Sequence, residues 1–95
     1  VTTTGCEAGC PTTAIAFEMA GTSPTLRSAT HRAFERWSAL LSDRLTAEGL
    51  DDEAARAQAL TVLSAIEGAL ILCRAYGGRE PLDAVASTLA ASLRP

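Results

Sequence analysis

The chain has 95 residues, 47% of them hydrophobic, and a formal net charge of −3. A length of this order makes one domain at most, and an apolar content drawn mainly from Ala and Leu, with Phe17, Phe34, Trp37 and Tyr76 as the aromatics, favours helix over strand. There is no lysine, and the eight arginines are scattered among carboxylates, which excludes the concentrated positive face of a duplex-binding module.

Taken in chain order, residues 1–10 read as a loop and four helices follow. The first predicted helix covers 11–20. Pro11 suits a first helical position because its missing N–H would be unpaired there anyway. Ala14, Ile15, Phe17 and Ala20 give it an apolar side, and Gly21-Thr22 ends it. The second covers 24–48, with Ser23 as N-cap and Pro24 at the first position. Leu26, Thr30, Phe34, Trp37, Leu41 and Leu45 recur three or four apart and form one stripe, widened by Ala33 and Leu40. Arg32, Glu35, Arg36, Ser42 and Asp43 take the opposite side, and Gly49 is the stop.

The third predicted helix covers 52–76. It opens on "DDEAAR", whose carboxylates suit the positive end of a helix dipole, and stops at Gly77-Gly78. Its second half, "ALTVLSAIEGALILCRA", is apolar almost all the way round and must be covered on two sides. The fourth covers 81–93 and presents Leu82, Val85, Ala86, Leu89 and Leu93 as a narrow seam. So short a chain cannot easily supply both covers, and a second subunit is the natural source. The expected arrangement is a dimeric four-helix bundle to which each subunit gives its last two helices. Ser64, Gly68, Ile71, Leu72 and Ala75 on the third helix, with Leu82, Val85 and Leu89 on the fourth, are the expected interface. Gly68, near Ser64, Ala65 and Ala69, would allow close backbone approach there, or it would serve a tight contact within the chain.

Reactive chemistry finds little support. Cys6 and Cys10 stand four apart before Pro11, but a tetrahedral zinc site needs two further ligands. Only His31 and Cys73 could supply thiol or imidazole, each alone in a helix. Redox dithiols usually have two intervening residues, and this pair has three. No phosphate-cradling glycine loop or paired-carboxylate spacing appears. The expectation is no catalytic residue, no metal and no cofactor. No basic-then-apolar leader opens the chain, and no apolar run is expected to reach bilayer length, so a soluble cytoplasmic protein without a membrane role is expected. Phe17, Phe34 and Trp37 would either line an apolar cavity or pack as ordinary core. Glu67, inside the most apolar part of the third helix, would bond a ligand or pair with an arginine such as Arg36 or Arg74.

These stretches together resemble the C-terminal domain of TetR/AcrR-family transcriptional regulators, in the LmrA/YxaF-like branch. The matching pieces are "GCPTTAIAFEMA", "LRSATHRAFERWSALLSDRL", "EAARAQALTVLSAIEGALILCRA" and "PLDAVASTLAASL". The segment Phe34 to Trp37 and the segment Ile66 to Ala75 are the most specific. The resemblance implies an all-α, four-helix domain whose last two helices form the dimer bundle and whose preceding helices enclose a small hydrophobic effector. On that basis Phe17, Phe34, Trp37, Leu41, Leu63 and Glu67 are the candidate ligand-lining residues. The family's DNA-reading helix-turn-helix has no counterpart in these 95 residues. Operator DNA would therefore be bound, and repression exerted, only through an N-terminal domain of a longer parent. A helical oligomerisation or protein-interaction module that binds no ligand is the other reading.

Overall fold

In a computed structural model the described residues are 23–92. The predicted loop 1–10, the predicted helix 11–20 and Leu93 lie outside them. The described residues form three helices and no strand: α1 (Pro24–Ala47), α2 (Asp52–Tyr76) and α3 (Glu80–Ser92).

Each helix starts and stops on local chemistry. At the head of α1 the Ser23 hydroxyl accepts the Leu26 backbone N–H at 3.2 Å, with Pro24 next in line. That removes one of the unpaired donors of a first helical turn. The Glu48 N–H closes the other end on Arg44 and Leu45 carbonyls. Gly49 follows at φ 113°, a left-handed turn that a side chain would strain. At the head of α2 an Asp51 carboxylate oxygen accepts the Ala54 N–H at 2.8 Å, so the acidic cluster caps as well as complementing the dipole. Gly77, at φ 71°, ends α2 by donating to the Cys73 carbonyl at 2.8 Å. The helix α3 begins at Glu80 rather than Pro81, because the Asp83 N–H already bonds the Arg79 carbonyl.

The chain divides into two compact units, with the boundary between Leu63 and Ser64 inside α2. Among the described residues, the first unit holds α1 and the N-terminal part of α2. Its deepest residues are small: Ser38, 1% exposed, with Ala55 and Ala59 fully buried and Val62 nearly so. Arg56 reaches Glu35 with two hydrogen bonds, of 2.8 and 3.3 Å, tying α2 to α1. Ser38 lies one turn beyond Glu35 and Ala55 beside Arg56. Small side chains at that level let two helices come close. The buried hydroxyls of Thr30 and Ser38 donate to the carbonyls of Arg27 and Glu35 three residues earlier. Neither needs a partner from another element.

Two expectations fail in this unit. Leu40 does not widen the α1 stripe: it is 66% exposed, because its position falls on the far flank of the helix, and Ser38 takes the buried place instead. Glu35 does not stand apart on the outer face: it is half-buried at its edge, where the Arg56 guanidinium is within reach.

The second unit holds the rest of α2 and all of α3. Ala69 and Cys73 are its buried residues, and the cysteine is a free thiol. Leu82, Val85 and Leu89 of α3 are half-buried. By contrast Ile71, Leu72 and Tyr76 are 44%, 49% and 67% exposed.

The expectation about apolar length is also corrected. By length and composition α2 is apolar enough to cross a bilayer, although only 22% of the qualifying window is buried in the chain. The cause is that Ser, Thr and Gly between the aliphatic residues scarcely lower its hydropathy. A core helix of a soluble protein passes the same test.

Candidate functional site

The residues expected at a site fall mainly on two faces, one in each unit. In the first unit, Phe34 and Trp37 are one helical turn apart on α1. Their ring centroids lie 5.5 Å from each other at 82°, an edge-to-face contact, the geometry that the ring quadrupole favours. Both are half-buried, as are Leu41 one turn further on and Leu63 at the end of this unit's stretch of α2. The structure thus brings Phe34 and Trp37 together and places Leu41 on the same side of α1. Glu67 falls in the second unit, half-buried, and Phe17 lies outside the described residues. A polar hollow opens elsewhere in this unit, lined by Pro24, Arg27, Ser28 and His31 at the head of α1.

In the second unit the outward side of α2 carries Ser64, Gly68, Ile71, Leu72 and Ala75, all exposed. Turning 100° per residue puts all five within about 60° of Gly68, and none is charged. The buried side of the same stretch carries Ala69 and Cys73. A Cβ added at Gly68 would meet nothing within 4 Å among the described residues. Of the two roles considered for Gly68, the tight contact within the chain has no counterpart among the described residues. Beside this stripe an apolar hollow of about 240 Å³ is lined by Ala65 of α2 with Ala84, Val85, Thr88 and Leu89 of α3. The three α3 residues expected at an interface are turned partly inward, with Val85 and Leu89 forming a wall of that hollow.

The electrostatics centre on one pair. The Arg56 guanidinium, hydrogen-bonded to the Glu35 carboxylate, holds that carboxyl below its ordinary range, with His31 one turn back adding slightly. The carboxylate in turn raises Arg56. Both side chains remain about half exposed, so the pair is a surface clasp. Two further ion pairs, Arg44 with Glu48 and Arg79 with Asp83, are exposed four-residue steps on single helices. Among the described residues, no group of three or more His, Cys, Asp or Glu is placed to hold a metal ion. Cys6 and Cys10 lie outside them. The sequence reading did not identify the Glu35–Arg56 clasp. Its residues are 21 apart in sequence, and no spacing rule connects different helices.

Comparison with known proteins follows the same lines. Residues 1–88 match the family described as "Transcriptional regulator LmrA/YxaF-like, C-terminal domain". The chain is 35% identical over 83 residues to an uncharacterised HTH-type transcriptional regulator of Mycobacterium tuberculosis strain CDC 1551. The same figures hold for an uncharacterised HTH-type transcriptional regulator of strain H37Rv. Each alignment covers 82% of this chain and 43% of the relative, so the chain spans less than half the length of the curated relatives it matches. No solved structure matches it. With helices and no strand among its described residues, and matched over nearly all its length by one family description, the chain is a C-terminal domain of the LmrA/YxaF-like transcriptional regulators, of the TetR type.

Proposed function

We propose that this domain joins two copies of a regulator and senses a small hydrophobic effector, acting in the cytoplasm and carrying no catalytic activity. Operator DNA would be bound by a helix-turn-helix in the remainder of the protein, which the length of the relatives leaves room for. The observation that carries the reading is the uncharged outward side of α2 at Ser64, Gly68, Ile71, Leu72 and Ala75, exposed on a helix whose opposite side is already buried. A helix apolar on two sides needs a second cover. A second copy supplies one by symmetry, with Leu82, Val85 and Leu89 of α3 at its edge.

The sensing part rests on the aromatic stripe of α1. Phe34 and Trp37, with Leu41 and Leu63, offer half-buried apolar surface of the kind that lines helical pockets, and Phe17 and Glu67 complete the proposed set. The proposed action is a population shift. An effector that prefers the subunit shape unfit for DNA lowers operator occupancy by its difference in affinity for the two shapes, which makes the regulator a repressor. The edge-to-face contact of Phe34 and Trp37 favours a second reading, in which these rings are core and the domain dimerises without a ligand.

The test is thermal stability and operator release of the full-length protein across a panel of hydrophobic compounds. Compounds that raise the melting temperature and release the operator, with both effects lost in Trp37→Ala, support sensing. Dimers that bind operator and respond to no compound in the panel support the second reading.

A further inference from the structure

In the first unit, what holds α1 and α2 together and what places them are separate things. Among the described residues, the side chains buried where the two helices come close are Ser38, Ala55 and Ala59, all small, with Val62 further along α2. Small side chains raise shallow ridges, and shallow ridges leave the register of one helix on another loosely specified. The buried hydroxyls add no lock of their own. Thr30 and Ser38 donate to carbonyls of α1 itself, so neither bond reaches α2. Phe34, Trp37 and Leu41 are half-buried and are not enclosed on all sides as interlocking knobs are.

The Glu35–Arg56 contact differs in kind. Two guanidinium nitrogens of Arg56 donate to the two carboxylate oxygens of Glu35, at 2.8 and 3.3 Å. A fork-to-fork pair of this sort adds directional specificity to its energy, and fixing register is the best-attested use of such polar ties. Exposure of both side chains keeps the energy small, so the pair bears more on where α1 lies than on whether it stays. Glu35 stands between Phe34 and Trp37 in the chain, so the stretch of α1 that it anchors is the one carrying both rings. We propose that the Glu35–Arg56 clasp is a register device, which sets the position of α1 along α2 and thereby places the Phe34–Trp37 pair. Glu35 and Arg56 are then positioning residues. Where the rings serve sensing, a consequence that rests on the effector reading, the clasp also sets the shape of the surface offered to the effector.

The experiment is fluorine NMR of the full-length protein labelled with fluorotryptophan, the Trp37 resonance being assigned by its loss in Trp37→Phe. Glu35→Gln, Arg56→Gln and the two combined are compared with the parent at neutral pH, with urea midpoints taken in parallel. The expected result is a Trp37 resonance that moves to one new position, shared by both single variants and the combined one, because each breaks the same clasp. The urea midpoints are expected to fall by less than in Trp37→Ala. A Trp37 resonance that stays at the parent position in either single variant overturns the proposal. So do shifts from the two single variants that add in the combined one, since these report two independent local charge effects. A midpoint loss as large as that of Trp37→Ala makes the clasp a stabilising tie and overturns its role in register. All these spectra are taken without any effector, so a failure here leaves the sensing reading standing.

Discussion

The two halves of α2 lie in units that are stabilised differently. From Asp52 to Leu63 the helix belongs to a unit with specific polar and aromatic ties. Arg56 grips Glu35, Phe34 meets Trp37 edge to face, and Ser38, Ala55 and Ala59 are buried where the two helices are tied. From Ser64 to Tyr76 the same helix buries Ala69 and Cys73 but leaves Ile71, Leu72 and Tyr76 largely in the open. The first unit has Phe34, Trp37, Leu41 and Leu63 half-buried, Leu40 and Leu60 exposed and its small residues deepest. The second also has its small residues deepest and Leu82, Val85 and Leu89 half-buried, but it gathers Ile71, Leu72 and Tyr76 on the exposed side of one helix. The contrast teaches that a helix's apolarity does not report what covers it. Similar composition is tied by a salt bridge and an aromatic pair in one unit and left as an exposed apolar stripe in the other.

The largest expected effect is in the unit that holds the aromatic pair. Trp37→Ala removes a half-buried ring and its edge-to-face partner contact. It is expected to cost about 2 kcal/mol, below the range for a fully buried aromatic. Urea unfolding should show this loss unchanged across protein concentrations. A loss that disappears at high concentration would move Trp37 to an interface and break the comparison.

Next come two exposed leucines, one from each unit. Leu72→Asn is expected to weaken dimerisation at least about tenfold, roughly 1.4 kcal/mol, by placing an amide against apolar surface. Leu40→Asn, although Leu40 is the more exposed of the two, is expected to leave the dimer unchanged. Dilution series by sedimentation or light scattering read both, and equal effects would erase the distinction between the units.

A smaller effect is expected at the helix cap. Ser23→Ala removes the acceptor for the Leu26 N–H and should lower stability by about 1 kcal/mol, measured by urea midpoint. The smallest concerns the clasp. Arg56 depresses the Glu35 carboxyl below its ordinary value of 4.5. The pair's contribution is therefore complete above that value and is lost as pH falls through the depressed folded value. The difference in urea midpoint between the parent and Glu35→Gln should be present at neutral pH and shrink on acidification below about 4.5. A difference that grows in acid would mean the clasp is not what Glu35 contributes.

Most of the helical architecture can be read in the sequence because helix ends are local. Ser23-Pro24, the acidic run from Asp51, and the glycines at 49 and 77 act through hydrogen bonds to neighbours three or four residues away. Period alone also separated the Phe34, Trp37 and Leu41 side of α1 from its charged side. It failed where the outcome depends on what another element places opposite. Leu40 has the right residue type and the wrong angle. Ser38 is polar by type, yet it is buried because its hydroxyl bonds its own helix and its small size suits a close helix approach. The Glu35–Arg56 clasp joins two helices that no local rule relates. For Gly68, sequence allows two explanations, and among the described residues the space an added Cβ would take is open, which speaks against a tight contact within the chain.

The central claim is that the free side of α2 is covered by a second copy of the chain. Sedimentation equilibrium of the full-length protein, compared with Gly68→Arg, tests it most directly. A Cβ added at Gly68 would meet no atom within 4 Å among the described residues, so helicity should be unchanged. The account predicts a dimer for the parent and a monomer for Gly68→Arg at matched concentration. The same mass for both proteins, whether dimer or monomer, would contradict it.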